Sequence, residues 1–327
     1  MRWINVTRGR RATCAPAPAE SNIVTLFSTT LRFGPLQRRH TQCASRFQLQ
    51  LLSAWTQSPH IDTLLRLDWL GAGMANFVLV HGAWHGAWCW RRVARILAQA
   101  GHEVFTPTLT EVGERSHLLK PDLNLDTHIL DVANEIKWQE LNNVVLVGHS
   151  YAGMVISGVA EKMEKSIGSF VMLDAFLPET GEALVDLQPP QGRESFLAAE
   201  RNGALAMPPR AAAMFNVNEK DRAWVDAQCT PHPLKCFLQK LTLTRARERI
   251  GKKTYIRATG YASEPFDRAM ANARVKGWRV YQVPCGHGWI CRSGWPPYCR
   301  KRFNRLGLHL VAPKGRICPA SALVRQN

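Results

Sequence analysis

The sequence predicts an α/β fold with a mostly parallel sheet, helices on both faces of the sheet, and an inserted helical cap. From residue 74 onward, short continuously apolar segments such as 77–80, 144–147 and 169–173 alternate with helical segments. Apolar segments of strand length indicate strands buried on both faces, as in parallel sheets covered by helices. Residues 179–250 interrupt the alternation, because their pattern is mostly helical with no clear strand, and they predict the cap.

The remaining elements follow from the same periodicities. In segment 90–99 the apolar residues Val93, Ile96 and Leu97 recur at helical spacing, and Gly101 ends the predicted helix. Further helices are predicted at 126–138 and 151–165, and further strands at 103–106, 254–258 and 278–283.

The charge of the chain is concentrated at its two ends. The 327 residues carry a formal net charge of +17, but residues 74–287 contain 25 basic and 22 acidic residues. Residues 1–73 contain nine basic and three acidic residues, and residues 288–327 contain eight basic residues and no acidic one. A nucleic-acid groove needs surplus basic residues on a folded surface, so the central balance argues against a nucleic-acid partner.

The cysteines and the lengths of the apolar segments limit which other classes of protein the chain can belong to. Nine cysteines are present, and they form no Cys-x-x-Cys pair and no regular framework. We therefore predict no metal site, no disulfide scaffold and a reduced, cytoplasmic protein. No segment approaches the roughly 18 apolar residues of a membrane span, so no membrane partner is predicted.

The most informative motif surrounds Ser150. The run Gly-His-Ser-Tyr-Ala-Gly at 148–153 joins the predicted strand 144–147 directly to a helix. Small residues on both sides of Ser150 permit a tight strand-to-helix turn, which exposes the serine hydroxyl at the carboxyl edge of the sheet. The helix N-terminus supplies free N–H groups, and the N–H of Tyr151 would face a developing oxyanion. Ser150 is therefore the predicted nucleophile.

A second motif, His-Gly-Ala-Trp-His-Gly at 81–86, follows the first predicted strand. Its small residues let the backbone pass close to the site, so the N–H of Ala83 is the second predicted oxyanion donor. Four side chains are expected to line the substrate pocket, with ordinary core packing as the alternative for the two tryptophans: Trp84, His85, Trp88 and His149.

The predicted general base is His287, in the run Pro-Cys-Gly-His that follows the last strand. A triad also needs an acid to orient the imidazole. Asp174 directly follows the strand 169–173, whereas Asp267 lies further into the loop after 254–258. Asp174 is preferred, because a buried unpaired carboxylate is costly and His287 would relieve that cost. Asp267 is the alternative acid, and Glu264 is a more distant third.

Together these segments resemble the α/β-hydrolase superfamily, and more narrowly its branch of plant methyl salicylate esterases, hydroxynitrile lyases and bacterial esterases. The resemblance spans about residues 74–287. It rests on FVLVHGA-x-HG-x-W at 77–88, VVLVGHS-x-x-GM at 144–154, F-x-P at 176–178 and GH at 286–287. It implies that Ser150 is the nucleophile, His287 the general base, and the N–H groups of Ala83 and Tyr151 the oxyanion hole.

This sequence differs from that branch of the family in three features. Its plant members carry the acid after the penultimate strand, where this chain has Tyr261, whereas other superfamily members carry it where Asp174 stands. The lyases have a threonine and a lysine at the positions of Gly82 and Gly288, so ester hydrolysis is favoured here. After the catalytic histidine the family continues into an acidic, apolar helix. Plausible codons for 288–299 restore that helix in a shifted frame, and we hypothesise a frameshift that resequencing would test.

The ends of the chain lack the central pattern. Residues 1–73 show no sustained period and predict an unstructured extension, for which a mis-set start is favoured over an Arg-rich transit peptide. The tail 288–327 is basic and contains the adjacent prolines Pro296 and Pro297, which are incompatible with a helix. The hydrolase domain is therefore expected at 74–287.

The sequence thus predicts a serine esterase that hydrolyses a small, fairly apolar carboxylic ester through an acyl-enzyme. It predicts no metal or organic cofactor and a small-molecule ester as the partner, and it leaves a homodimer open. The alternatives are a lyase or lactonase using the same pocket, a non-catalytic ligand-binding protein of the same fold and, third, a basic binding module.

Overall fold

The computed structural model describes residues 74–291, so the predicted extension 1–73 and the tail from residue 292 onward lie outside the described residues. Eight strands form within the described range: β1 (Asn76–Val80), β2 (Glu103–Phe105), β3 (Val144–His149), β4 (Ile167–Leu173), β5 (Ala206–Met207), β6 (His232–Pro233), β7 (Lys253–Ala258) and β8 (Arg279–Val283). Eight α-helices accompany them: α1 (Arg91–Gln99), α2 (Leu125–Trp138), α3 (Ala152–Met163), α4 (Pro190–Arg201), α5 (Glu219–Gln228), α6 (Lys235–Leu238), α7 (Ala246–Arg249) and α8 (Glu264–Val275).

Six of these strands form one parallel sheet in the order β2-β1-β3-β4-β7-β8. Every residue of β3 is buried, because helices cover both faces of the sheet and β1 and β4 flank the strand. The continuous apolar run Val-Val-Leu-Val that predicts β3 reflects this double coverage. The predicted parallel sheet is confirmed.

The carboxyl ends of parallel strands lie at one edge of a sheet, where ligands usually bind in such folds. Ser150 follows β3 directly, Asp174 follows β4 directly, and His287 lies four residues beyond the end of β8. The topology therefore brings three predicted site residues to the same edge.

The cap prediction needs one correction. Strands β5 and β6 pair antiparallel within residues 179–250, where no strand is predicted from the sequence. Each has only two residues, so neither can show the alternation that identifies a strand. Helix α8 is also absent from the predicted elements, although its buried residues Phe266, Ala269 and Ala273 recur at helical spacing.

Among the described residues, no helix combines the length and the apolar character needed to cross a bilayer. No disulfide joins the cysteines between residues 74 and 291 either.

Gly153, in the first turn of α3, provides a test of the packing beside the site. A Cβ at this position would lie 1.9 Å from the carbonyl oxygen of Phe176. We expect Gly153→Ala to lower the free energy of unfolding by about 1–3 kcal/mol, because the loop after β4 must shift. Urea denaturation measures the change. Gly251→Ala is the control, since nothing lies within 4 Å of its added Cβ. Equal stability of the two variants would contradict the packing.

Candidate active site

Ser150 occupies a tight turn between β3 and α3. Its φ of 56° lies in the left-handed region that non-glycine residues rarely adopt. Gly148 permits the turn, because a Cβ there would lie 2.8 Å from Ile156 Cδ1 and 2.9 Å from the Ala152 carbonyl oxygen. Strained backbone of this kind clusters at active sites and is typical of a strand-to-helix turn that carries a nucleophile.

His287 is bound to a single acid, Asp174. The Nδ1–H of His287 donates to Oδ2 of Asp174 at 2.7 Å, and both side chains are buried. The other candidate acids are directed elsewhere. Asp267 is 57% exposed and accepts a hydrogen bond from Nε of Arg257, and Glu264 pairs with Arg268 of the same helix. Of the three predicted acids, the structure brings only Asp174 to His287.

Ser150 and His287 line a common cavity of about 340 Å³. Its wall is largely aromatic and apolar and combines loops at the sheet edge with the cap. The lining includes Ala83, Trp84, Tyr151, Phe176, Leu184, Gln188, Phe196, Arg210, Phe215, Phe237, Tyr261, Glu264 and Phe266. A cavity of this size is at the lower end of the range for small-molecule sites.

The two predicted oxyanion donors border the same cavity. Ala83 lies three residues beyond the end of β1, Tyr151 directly precedes α3, and both residues line the cavity together with Ser150. Within residues 74–291 neither of these backbone N–H groups donates a hydrogen bond to a protein acceptor. Two unpaired N–H groups beside a serine hydroxyl are able to stabilise a negatively charged carbonyl oxygen.

The four predicted pocket side chains divide into three positions. Trp84 lines the main cavity and also a much smaller one, which His85 and His149 line together with Ser150 and His287. Trp88 requires a correction, because it lies outside both cavities and borders a separate depression. It belongs to the short 3-10 turn Ala87–Trp90, where it stacks on His85 and meets Trp224 edge-on.

Several contributors to the site are missed by the sequence analysis. Aromatic rings surround the imidazole of His287: the ring of Phe266 stacks on it at 5.0 Å, and those of Tyr261 and Phe215 lie at 5.2 and 5.6 Å. Arg257 is also missed, although it is the only charged residue between Thr254 and Ala258 in the otherwise uncharged interior of a predicted strand. A charge at such a position is a sequence signal for a buried polar contact.

Four further histidines are buried close to the site. Burial lowers the pKa of His81 from 6.5 to about 3 and the pKa of His128 to about 4. It also lowers the pKa of His149 and His232 well below 6.5. The hydrogen bonds of His81 agree with a neutral ring, since one ring nitrogen contacts the Gly82 carbonyl and the other accepts from the Leu109 N–H.

These histidines predict that the fold weakens in mild acid. The unfolded chain binds a proton at each imidazole near pH 6.5, whereas the folded chain does so only near pH 3 to 4, so stability falls as pH drops below 6.5. His81 and His128 should each remove about 1.4 kcal/mol per pH unit, or about 2 kcal/mol by pH 5. Urea denaturation between pH 7.5 and 5 measures this loss. His81→Gln should reduce the slope, and exposed His117→Gln should leave it unchanged; a flat profile would contradict the neutral state.

One group of side chains has the composition of a metal site. Ligand atoms of His128, His232 and Cys236 all lie within 4.8 Å of one another. However, His128 uses both ring nitrogens in the protein, with contacts to the Tyr151 hydroxyl at 2.9 Å and the Thr110 carbonyl at 2.8 Å. Burial raises the pKa of the Cys236 thiol above its ordinary value, which disfavours the thiolate that a metal binds. The arrangement therefore fits a structural polar cluster better than a metal centre.

Comparison with known proteins identifies the family. Residues 77–296 match the alpha/beta hydrolase family. The chain is 44% identical over 224 residues to a carbendazim hydrolyzing esterase from Nocardioides sp. (strain SG-4G), which covers 65% of this chain and 93% of that protein. It is 36% identical over 107 residues to methylesterase 1 of Arabidopsis thaliana, which covers 32% of this chain and 41% of that protein.

Among solved structures, an extracellular alpha/beta-hydrolase from a Paenibacillus species superposes with a TM-score of 0.63 at 23% identity. The superposition covers 73% of this chain and 100% of the other, and it supports the fold alone. The chain belongs to the α/β-hydrolase family. Within that family it is a hydrolase acting on esters, the reaction class of the esterases to which it is similar. The predicted fold and reaction class are both confirmed.

Proposed function

We propose that the protein is a serine esterase in which Ser150 is the nucleophile, His287 the general base and Asp174 the acid of a catalytic triad. The observation that carries the proposal is the 2.7 Å hydrogen bond from His287 to buried Asp174, at a cavity that Ser150 also lines. Ser150 in a strained turn at the end of β3 supports the same assignment.

The proposed reaction has two halves. The Oγ of Ser150 attacks the ester carbonyl carbon while Nε2 of His287 takes its proton, and the resulting oxyanion is bound by the N–H groups of Ala83 and Tyr151. His287 returns the proton to the departing alcohol, which leaves an acyl-enzyme. A water molecule then attacks the acyl carbon while His287 accepts its proton. The bond to Ser150 breaks, His287 returns the proton to Oγ, and the carboxylic acid is released.

The proposed substrate is a small aromatic ester with a small alcohol, such as a methyl ester. The aromatic wall formed by residues such as Trp84, Phe215 and Phe237 favours a flat apolar group, and about 340 Å³ limits its size. The similarity to a carbendazim hydrolyzing esterase and to methylesterases supports this class. The small ester is the proposed partner, with no nucleic acid and no membrane. A cytoplasmic location is proposed from the reduced cysteines.

Two measurements test the proposal. A fluorophosphonate probe should label Ser150, and an aryl ester should release its alcohol in a burst that equals the enzyme concentration, because the acyl-enzyme accumulates. Methanol release from carbendazim and from methyl esters of aromatic acids then ranks the substrates. Ligand binding without labelling of Ser150 would instead indicate a non-catalytic protein of this fold.

Lyase activity is the proposal's competitor, since the chain is also 35% identical over 106 residues to an alpha-hydroxynitrile lyase of Arabidopsis thaliana. The lyases that the sequence resembles have a threonine at the position of Gly82. The structure disfavours such a side chain there, because its Cβ would lie 3.0 Å from Ser150 Cβ and 3.1 Å from Nδ1 of His149. Cyanohydrin turnover without ester turnover would reverse the choice.

A further inference from the structure

Arg257 is a charged side chain buried directly behind the proposed triad. It lies on β7 with 2% of its side chain exposed, and its Nη1 donates to Oδ1 of Asp174 at 2.9 Å. Asp174 is itself fully buried and uses its other oxygen, Oδ2, for His287. A buried carboxylate without a countercharge is costly, so Arg257 supplies the countercharge that Asp174 needs in the interior.

The guanidinium is held on all sides. Its Nε donates to Oδ1 of Asp267 at 2.8 Å, its Nη2 to the Tyr261 carbonyl at 2.7 Å, and its Nη1 also to the Ala258 carbonyl. The N–H of Ala258 donates to the same Asp174 oxygen that Arg257 contacts, at 3.0 Å. With its bond to Asp174 the planar guanidinium has four contacts and cannot rotate away. The carboxylate of Asp174 is therefore fixed in the orientation that faces His287.

We propose that Arg257 is a positioning residue that orients Asp174 and, by its charge, extends the activity of His287 to lower pH. The inference rests on the proposed function. Its physical reason is that Arg257 offsets the negative charge of Asp174, so a positive charge beside that carboxylate is less favoured than it would be without the arginine.

The other groups near this pair do not replace Arg257. Titratable or charged side chains around the His287–Asp174 pair and its two cavities are His85, His149, Arg210, Tyr255, Arg257, Tyr261, Glu264 and Asp267. His85 lies in the smaller cavity, where burial lowers its pKa but its contact with the Cys291 thiol raises it overall. Burial lowers the pKa of His149 and raises the pKa of Tyr255 and Tyr261, so these three are uncharged near neutral pH.

The remaining charged groups form no hydrogen bond with Asp174 within residues 74–291. Arg210 lies over the ring of Trp84 at the cavity wall, Glu264 pairs with Arg268, and Asp267 is more than half exposed. Burial would lower the pKa of Arg257, but hydrogen bonding to Asp267 and the charge of Asp174 raise it overall, so the guanidinium stays protonated. Arg257 is therefore the buried charge in direct contact with Asp174.

The test is the pH profile of kcat/KM for a methyl ester in the full-length chain. In Arg257→Gln we expect the acidic limb to move to higher pH, because the positive charge that offsets Asp174 is lost. Its plateau kcat should fall about tenfold as Asp174 loses its fixed orientation. Arg257→Lys keeps the charge but not the planar fork, so the limb should stay near that of the parent while kcat falls several-fold. Asp267→Asn is the matched control, since it removes the exposed partner of the same guanidinium and should leave the limb in place.

An Arg257→Gln protein that is folded and has an unshifted acidic limb would overturn the proposal. If that variant does not fold, Arg257→Lys decides: a lower melting temperature with unchanged kcat shows a purely structural role and overturns it as well. Fluorophosphonate labelling of Ser150 in the parent protein distinguishes failure of the role of Arg257 from failure of the proposed triad. Labelling together with an unshifted limb rejects only the role of Arg257, whereas the absence of labelling rejects the proposed triad.

Discussion

Replacing Ser150 with alanine is expected to lower kcat for ester hydrolysis by about 10⁶-fold, which is the order found when a triad nucleophile is removed. The substitution removes the only oxygen that can form the acyl-enzyme, and the cavity and the oxyanion donors stay in place. The measurement is methanol release from a methyl ester at high enzyme concentration. The fluorophosphonate label should disappear in the same variant, because its phosphorus is attacked by the same oxygen.

Ser195→Ala is the control for this experiment. Ser195 is an exposed serine of the cap, and its hydroxyl donates to the Gly192 carbonyl rather than to a group at the triad. Its removal should change kcat by less than about twofold, since substitutions of exposed residues away from the core and the active site have small effects. Retention of activity and labelling in Ser150→Ala would mean that another residue carries the nucleophile, and the proposed mechanism would then be wrong.

Replacing Asp174 with asparagine is expected to lower kcat by about 10⁴-fold, the order seen when a triad aspartate becomes an amide. An amide cannot balance the positive charge that His287 acquires in the transition state. It also cannot hold the imidazole in the tautomer whose Nε2 accepts the serine proton. Steady-state kinetics across pH 6–9 measure the effect, and thermal unfolding shows whether the variant is folded.

Asp267→Asn separates the two acids that the sequence leaves as candidates. Asp267 contacts the same arginine as Asp174, but it is exposed, and the acid that His287 contacts is Asp174. Its substitution should leave kcat within a few-fold of the parent, so the ratio between the two variants should be about 10³ or more. Similar losses in both variants would contradict the assignment of Asp174.

Sequence patterns alone identify most of the fold, and the reason is local. The strand before Ser150 is apolar at every position from Val144 to Val147, because the interior of a covered parallel sheet selects apolar side chains. The turn at Ser150 is likewise visible as small residues between a strand and a helix. Elements that lack such local patterns escape prediction, and the two-residue strands β5 and β6 are the clearest case.

The sequence by itself determined the order along the chain of the six strands of the parallel sheet and placed their ends to within two residues, because periodicity and turn composition are properties of neighbouring residues. Only the tertiary structure decided which acid faces His287. Asp174 and His287 are 113 residues apart, and their 2.7 Å contact depends on the packing of β4 against β7 and of β7 against β8. Arg257 behind that acid and the aromatic rings around His287 were decided in the same way, since contacts between distant segments leave little trace in a single sequence.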